Sequence, residues 1–177
     1  MKIRSKVLGF LVSVPFVAAL TVAGGGVADA QAAVPAAGPG DVVFFHNVGS
    51  DECAEALGAG NGVRVVQRTC NAANNFQKWV LAQVGSGVYE FVNVGASACM
   101  DVTDGKNADH TPIQLWGCNG STSMRWTANP SFDGVAQVKS ETGGRCLDVF
   151  GDDGAQLTLI HCTGFGNLAQ VWRFPVA

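Results

Sequence analysis

Three cysteine pairs and three tryptophans recur along the chain with a common period. The cysteines within successive pairs are 17, 19 and 16 residues apart, and the first cysteines of the pairs follow one another after 46 and 47 residues. Trp79, Trp126 and Trp172 follow at intervals of 47 and 46 residues. Such a period indicates three similar units that pack against one another. The predicted repeats run over about residues 41–84, 85–131 and 132–177.

The first 30 residues have the pattern of a secretory signal. Three basic residues within the first six precede an apolar run, and small residues with the sequence "ADA" follow at 28–30. This order is typical of an export signal with its cleavage site. A membrane-spanning helix is less favoured, because the apolar run is interrupted and falls short of the roughly 20 residues that cross a bilayer. We predict a signal peptide over 1–30, a flexible leader over 31–40 and a secreted, extracellular domain over 41–177, without membrane insertion.

The six cysteines indicate a disulfide framework, as expected for an exported protein. Six cysteines alone allow 15 pairings, so the spacing must choose among them. The repeat favours one bridge within each unit, which predicts Cys53–Cys70, Cys99–Cys118 and Cys146–Cys162. From loop entropy, a bridge that closes 16 to 19 residues stabilises the fold by about 3 kcal/mol.

The segments between the cysteines predict β-strands. Stretches such as "VVFFHNV" at 42–48 and "VYEFVNV" at 88–94 are short and rich in β-branched and aromatic residues, and turn sequences rich in glycine, aspartate and asparagine separate them. No window of 11 or more residues carries a helical apolar stripe. We therefore predict an all-β domain whose three units close into a barrel, because closure removes exposed strand edges.

Written out, the repeats read "CAEA" to "QKW", "CMDV" through "IQLWGC" to "MRW", and "CLDV" to "QVW". This C-x-D…C…Q-x-W pattern, present three times over residues 41–177, resembles the ricin-B-type β-trefoil of lectins and carbohydrate-binding modules. The resemblance implies six barrel strands, six strands in a hairpin cap, and one shallow sugar site per repeat. It also implies that the repeated residues Gln77, Trp79, Trp126 and Trp172 are structural.

Trp116 is the tryptophan outside the repeat, and it lies where this family places its sugar-stacking ring. Asp101 follows Cys99 by two residues, and Gln114 precedes Trp116 by two, so Gln114 and Trp116 should project from the same face of a strand. A ring covers the C–H face of a sugar, while a carboxylate and an amide bind its hydroxyls. The alternatives are a tryptophan that fills a gap under the hairpin cap and an aspartate that stabilises a turn.

The second repeat departs from the family pattern at two places. The residue before the final Q-x-W is Ser123 where the family has asparagine, and the glutamine itself is replaced by Met124. Both changes remove amide groups near the expected pocket. Asn119 and Ser121, in the loop after Cys118, are candidates to compensate.

The third repeat keeps Asp148 and Gln170 as ligand-binding candidates, with a turn-stabilising role as the alternative for Asp148. The position equivalent to Trp116, which we call the platform position, is occupied by Ile160. A stacking ring would therefore have to come from Phe165 or His161.

The first repeat has Glu55 in place of the aspartate, Arg68 at the platform position and Phe76 before Gln77. We expect no binding at this repeat, which would serve the barrel alone.

Other functional classes find no support in the sequence. Loss of residues 1–30 would remove three basic residues and one acidic residue and change the formal net charge from −3 to −5, so the basic field that nucleic acids require is missing. The three histidines lie far apart, which gives no metal or cofactor site. No nucleophile elbow, phosphate-binding loop or opposed carboxylate pair indicates an enzyme.

The sequence thus predicts a secreted, non-catalytic carbohydrate-binding protein that recognises galactose- or xylose-type glycans, mainly through its second repeat. The high content of alanine, glycine and valine with few lysines suits an actinobacterial secreted protein. The alternative function is a β-trefoil scaffold, such as an inhibitor or toxin-like module, that binds another protein and whose sugar sites have degenerated.

Overall fold

The chain folds almost entirely into short β-strands. The computed structural model describes residues 37–128 and 134–177, and within these ranges it has fourteen strands, four one-turn 3₁₀ helices and no α-helix. No helix in the described ranges is long and apolar enough to cross a bilayer. The prediction of an all-β domain is confirmed. The predicted signal peptide, residues 31–36 of the leader and the predicted boundary at 131/132 lie outside the described residues.

The strands are β1 Val42–Phe44, β2 His46–Asn47, β3 Cys53–Ala56, β4 Val65–Arg68, β5 Lys78–Gly85, β6 Val88–Asn93, β7 Ala98–Val102, β8 Thr111–Trp116, β9 Arg125–Ala128, β10 Val135–Ala136, β11 Val138–Ser140, β12 Cys146–Asp148, β13 Thr158–Ile160 and β14 Trp172–Arg173. The 3₁₀ helices are Asn75–Gln77, Thr103–Gly105, Thr122–Met124 and Leu168–Gln170. Three of these helices directly precede or overlap the Q-x-W position of a repeat, so they recur with the same period as the tryptophans.

The strands form two sheets. Nine strands pair in the order β1-β5-β6-β7-β8-β13-β12-β11-β9, and a further pairing of β9 with β6 brings this sheet back on itself. The other sheet has the order β10-β14-β2-β3-β4. All strand pairs are antiparallel, and β8 pairs with β13, so strands of different repeats are neighbours. The repeats therefore share one continuous hydrogen-bonded framework.

The three predicted disulfides are confirmed. Each bridge lies within one repeat, and the Cα atoms of the bonded cysteines are 5.0 to 5.1 Å apart. All six cysteines take part in a bridge. Each bridge links the start of one hairpin strand to the residues just after its partner strand, so it holds together the open end of the hairpin.

The repeat tryptophans fill the core at three equivalent positions. All three side chains are fully buried. Each indole Nε1–H donates to the carbonyl one residue after the first cysteine of its own repeat: Trp79 to Ala54 at 3.0 Å, Trp126 to Met100 at 3.1 Å and Trp172 to Leu147 at 3.1 Å. A buried indole N–H without a partner would cost about 1–3 kcal/mol. The tryptophans thus fill volume and satisfy a strand carbonyl at the same time.

A ring of side-chain acceptors ties each repeat to the next. A carboxylate or amide oxygen from a hairpin loop accepts the backbone N–H that precedes the second cysteine of the following repeat: Asn61 from Gly117 at 2.8 Å, Asp109 from His161 at 2.7 Å and Asp153 from Thr69 at 3.2 Å. We call these three contacts the inter-repeat clasps. They join the first repeat to the second, the second to the third, and the third back to the first. No pattern in the sequence predicts them.

Two of the clasps carry additional charge. Arg145 and the ring of His161 both hydrogen-bond to Asp109, and Arg68 Nη1 contacts Asp153 at 2.7 Å. Hydrogen bonds from the His161 ring lower the pKa of Asp109 below its usual 3.8, and the Arg68 guanidinium lowers the pKa of Asp153 in the same way. These carboxylates therefore favour the folded state in their ionised form.

The side chain of Gln156 lies where the three repeats meet. Its Nε2 donates to the carbonyls of Val65 at 2.8 Å, Ile113 at 2.7 Å and Leu157 at 3.1 Å. These three carbonyls occupy equivalent positions in the first, second and third repeats. One amide thus satisfies a backbone group from every unit, which adds to the closure made by the strands and the clasps.

Candidate functional site

An open cavity of about 200 Å³ lies on the outer surface of the second repeat. Its lining includes all of the ligand-binding residues predicted for this repeat: Asp101, Gln114, Trp116, Asn119 and Ser123, together with Ser121. The walls come from the β7–β8 hairpin and from the loop that leads to the 3₁₀ helix Thr122–Met124. The structure therefore brings the second-repeat candidates together.

Asp101 and Gln114 meet because they are directly opposite each other in the β7–β8 ladder. Residues opposite each other in an antiparallel pair project to the same face. Gln114 Nε2 donates to Asp101 Oδ2 at 2.9 Å. Within the described residues, Asp101 Oδ1 accepts no hydrogen bond, although the side chain is only 5% exposed. One carboxylate oxygen is thus oriented by the protein, and the other remains for a ligand.

Trp116 is 41% exposed, in contrast to the full burial of the three repeat tryptophans. It ends β8, whose inner positions Ile113 and Leu115 are fully buried, and it therefore continues the outer face that begins with Gln114. This exposure disagrees with the alternative of a tryptophan packed beneath the hairpin cap. An exposed indole beside a carboxylate and an amide is the arrangement that a pyranose requires.

The loop after Cys118 closes one side of the cavity with small polar groups. Asn119 Oδ1 accepts from the backbone N–H of Ser121 at 3.0 Å, and the hydroxyls of Ser121 and Ser123 are 2.8 Å apart. Met124, which stands where the other repeats have glutamine, is buried and lines the cavity. The site therefore has hydroxyls and one carboxamide at its rim and a thioether in its floor.

Asp104 also lines the cavity, although the sequence analysis did not single it out. It belongs to the turn "DGKN" directly after the strand that carries Asp101, and this position is the signal that could have pointed to it. The side chain is exposed and contacts Lys106 at 2.8 Å. A second carboxylate thus stands at the rim, but it is held by a neighbouring cation.

The first repeat uses its carboxylate internally. Glu55 Oε2 accepts from Asn74 Nδ2 at 3.0 Å and from Gln77 Nε2 at 2.7 Å. Gln77 is buried and also donates to the carbonyl of Thr69. At the platform position, Arg68 is committed to the clasp with Asp153. Protein groups occupy the positions where a sugar would have to bind.

In the third repeat, the structure places Gln170, a predicted ligand-binding residue, inside the protein. Gln170 is fully buried, its Oε1 accepts from the backbone N–H of Thr163 at 3.0 Å, and its Nε2 donates to the carbonyl of His161 at 3.0 Å. Both ends of the amide therefore hold the loop between the second cysteine and the 3₁₀ helix. Gln77 of the first repeat is buried in the same way, and its amide also donates to a loop carbonyl.

Asp148 lies beside this amide and is only 5% exposed. Burial raises the pKa of its carboxyl, and the nearby polar groups of Gln170 and His110 partly oppose that effect. The platform position holds the half-buried Ile160, and the His161 ring is 2.9 Å from Asp109 in the clasp. Phe165 is exposed. The third repeat therefore keeps a carboxylate but has an aliphatic side chain where the second repeat has an indole.

One group within the described ranges has the spacing of metal ligands, namely Glu90 with Cys99 and Cys118. The two sulfur atoms, however, are bonded to each other in the second-repeat disulfide. Zinc binds the thiolate form of cysteine, which a disulfide cannot provide. This group does not have the donor chemistry of a zinc site.

Comparisons with known proteins agree with the repeat pattern. The family model of ricin-type β-trefoil lectin-like domains matches residues 29–116 and 75–163, which together include more than half of the chain. Over 79 residues, or 44% of the chain, the sequence is 32% identical to Nigrin b of Sambucus nigra. The aligned part is 13% of the length of Nigrin b, so the chain corresponds to a small portion of that protein.

Solved structures show the fold. The designed threefold-symmetric protein ThreeFoil superposes with a TM-score of 0.72 at 21% identity, covering 77% of this chain and 99% of ThreeFoil. An exo-β-1,3-galactanase of Clostridium thermocellum gives 0.72 at 24% identity, covering 77% of this chain and 30% of the enzyme. A Polyporus squamosus lectin, solved with a sialylated epitope, gives 0.68 at 16% identity over 79% and 50% of the two chains. The predicted β-trefoil is thereby confirmed.

Proposed function

The chain belongs to the family of ricin-type β-trefoil lectin-like domains, and on this basis we propose that it is a secreted, non-catalytic carbohydrate-binding protein. Its ligands are galactose- or xylose-type glycans, and its principal site is the cavity of the second repeat. The observation that carries the proposal is the exposed indole of Trp116 beside the half-satisfied carboxylate of Asp101. Three disulfides and the signal-like N-terminus support export.

The chemistry of the cavity suits a pyranose ring. The C–H face of the sugar stacks on Trp116, and Asp101 Oδ1 accepts from a ring hydroxyl. Gln114 holds the carboxylate through its Nε2 and presents its Oε1 as a further acceptor. Hydroxyls of Ser121 and Ser123 both donate and accept, so they tolerate different hydroxyl orientations. A shallow, open site of this kind favours weak binding to a single sugar unit.

The other two repeats contribute the frame of the protein. In the first repeat, side-chain amides of the protein already donate to Glu55, and in the third repeat Gln170 is buried. Attachment through one principal site is weak, and avidity then requires a repeating ligand or association of several chains. We therefore expect measurable retention on a polymeric glycan and weak binding to a free monosaccharide.

A non-catalytic role is the simplest one for this cavity. A glycosidase needs two carboxyl groups that flank a bond at a defined separation of about 5 to 10 Å. The second carboxylate here, Asp104, is exposed and paired with Lys106. The cavity is also open to solvent, whereas catalysis profits from the exclusion of water.

A glycan array, followed by retention on galactose-agarose and on insoluble xylan, tests the proposal. We expect retention that free galactose or xylo-oligosaccharide releases. Absence of binding to every saccharide would overturn the proposal. If the protein instead formed a stable complex with a purified protein, the scaffold alternative would replace the carbohydrate-binding proposal. The hydrogen bonds that already occupy Glu55 would then explain why the first repeat binds no sugar.

A further inference from the structure

Strand β8, which carries the sugar-binding candidates, has a neighbour from another repeat. On the side away from β7, the backbone N–H of Leu115 donates to the carbonyl of Val63 at 2.7 Å, and Gly62 N–H donates to the carbonyl of Leu115 at 2.8 Å. Arg64 forms an antiparallel bridge with Gln114. A first-repeat segment thus continues the sheet past β8 and lies next to the strand that carries Gln114 and Trp116. We call residues 61–64 the first-repeat edge.

The bridge places Arg64 in one row with the site. Asp101 is opposite Gln114, and Gln114 is opposite Arg64, so the three side chains project to the same face of three adjacent strands. Arg64 is exposed, as expected for a residue on the outer face. The row thus contains a carboxylate, an amide and a guanidinium, in that order.

Arg64 makes no ion pair with any residue that the structure describes. Arg68 and Arg145, in contrast, are committed to the clasp carboxylates Asp153 and Asp109. A guanidinium presents five N–H donors in a planar fork that matches a carboxylate, and such charge-assisted pairs are among the strongest hydrogen bonds of proteins. The side chain is therefore available to an anionic group of a ligand.

Asn61 adds a second donor at the same edge. Its Oδ1 accepts from the N–H of Gly117, the residue after Trp116, at 2.8 Å. Within the described ranges its Nδ2 has no partner, and the side chain is exposed. The clasp thus fixes the carboxamide next to the indole and leaves two N–H groups for a ligand.

The two rows equivalent to this one have no arginine at the position of Arg64. The positions equivalent to Arg64 hold Pro112, opposite Thr158, and Gln156, opposite Val66. Proline shows that the fold does not need a cation here, and the Gln156 amide is used by backbone carbonyls. The cation occurs in the same row as the second-repeat carboxylate and beside the exposed indole.

We propose that the second-repeat site extends over the first-repeat edge and takes an acidic oligosaccharide. The sugar that stacks on Trp116 is linked to a unit that bears a carboxylate, such as a hexuronic acid. Arg64 pairs with that carboxylate, and Asn61 donates to a hydroxyl or ring oxygen. This inference rests on the proposed function and specifies its ligand class, because the donors of Arg64 and Asn61 lie on the segment that pairs with β8, the strand that carries Gln114 and Trp116.

Calorimetry with two matched ligands tests the inference. The ligands are a neutral xylo- or galacto-oligosaccharide and the same oligosaccharide carrying one glucuronic acid. We expect the wild-type protein to bind the acidic ligand about tenfold more tightly, the effect of one charge-assisted pair. The preference should shrink as salt is raised, because an exposed pair is screened.

Variants of the edge separate its role from that of the fold. Arg64→Gln should abolish the tenfold preference and leave affinity for the neutral ligand unchanged, and Arg64→Lys should retain part of it. Asn61→Asp keeps an acceptor for Gly117 while it replaces the two donors with negative charge, so it should weaken the acidic ligand specifically. Arg173→Gln, which removes an exposed arginine of the third repeat, is the control and should change neither affinity. Thermal melting confirms that all variants are folded.

The outcomes distinguish this inference from the function on which it rests. Equal affinity for both ligands, or an equal loss for both in Arg64→Gln, overturns the acidic-ligand proposal and leaves carbohydrate binding intact. Binding of neither ligand by the wild-type protein overturns both.

Discussion

The first and second repeats place a carboxylate at the same point of the same hairpin and use it in opposite ways. Glu55 accepts two hydrogen bonds from side-chain amides of its own repeat, whereas Asp101 accepts one, from the strand opposite. The difference follows from two positions, because Asn74 and Gln77 reach the carboxylate in the first repeat, whereas the second repeat has Ser121 and Met124 there. The second repeat thus leaves its own acceptor half satisfied, which is the basis of the proposed site.

The platform position shows the same contrast. Arg68 is held by Asp153 from the third repeat, while Trp116 projects freely from the outer face of β8. Neither residue contributes to the core, which the buried tryptophans and the inner strand positions supply. The outer face of a hairpin can therefore differ between repeats without a change in the core.

The largest expected effect is the difference in stability between loss of a buried repeat tryptophan and loss of the exposed Trp116. Trp126→Ala removes a fully buried side chain and its hydrogen bond to Met100, so it should lower the free energy of unfolding by about 3–5 kcal/mol. Trp116→Ala should change it by less than about 1 kcal/mol, because the ring is exposed. Urea denaturation of both variants measures the difference. Similar losses would show that Trp116 is part of the core.

Binding should respond in the reverse order. Trp116→Ala removes the stacking surface and should weaken glycan binding at least about tenfold, since an aromatic platform contributes more than 1 kcal/mol. Ile160→Ala, at the equivalent position of the third repeat, is the matched control and should have no effect. Titration with a xylo- or galacto-oligosaccharide provides the measurement. A stronger loss in Ile160→Ala would transfer the site to the third repeat.

The carboxylates of Asp101 and Glu55 should also have different effects, the first on glycan binding and the second on stability. Asp101→Asn removes the charge of the acceptor in the cavity and should weaken glycan binding by roughly fivefold, with little effect on thermal stability. Glu55→Gln leaves two donors of the first repeat without a charged acceptor, so it should lower stability by about 1 kcal/mol and leave binding unchanged. If both variants lost binding, the first repeat would have to be counted as a second site.

The smallest effect concerns the charged clasps. The pKa values of Asp109 and Asp153 are lowered in the folded state, so their stabilisation is present above the unfolded value of 3.8 and is lost as the pH falls through the lower folded values. Asp109→Asn and Asp153→Asn should therefore show a flatter loss of melting temperature below about pH 4 than the wild-type protein. The clasp of Asn61, which has no charge, should contribute no such dependence. Profiles that superpose for wild-type protein and both variants would contradict this role.

Asp148 contributes with the opposite sign. Burial raises the pKa of its carboxyl, so its contribution to stability is complete below 3.8 and declines as the pH rises through the folded value. Asp148→Asn should consequently gain stability relative to the wild-type protein near neutral pH. This gain would show that the ionised carboxylate of Asp148 destabilises the folded protein when no ligand is bound.

The repeat, the disulfides and the pairing of Asp101 with Gln114 could be predicted from the sequence. They depend on residues that are close along the chain or that recur with the period, and two strands of one hairpin must come together in a register that the cysteines limit. A large residue that recurs every 46 or 47 residues also needs no tertiary information to indicate a shared core.

The tertiary structure decided the rest. The burial of Gln170 could not be predicted, because it depends on how the loop after Cys162 folds back over the amide. The clasps and the position of Arg64 beside Gln114 depend on which repeat lies next to which strand, and residues 50 to 84 positions apart leave no local signal of that contact. Sequence periodicity thus determined the units of this protein, whereas the packing of one unit against another decided which of their polar groups find partners within the protein.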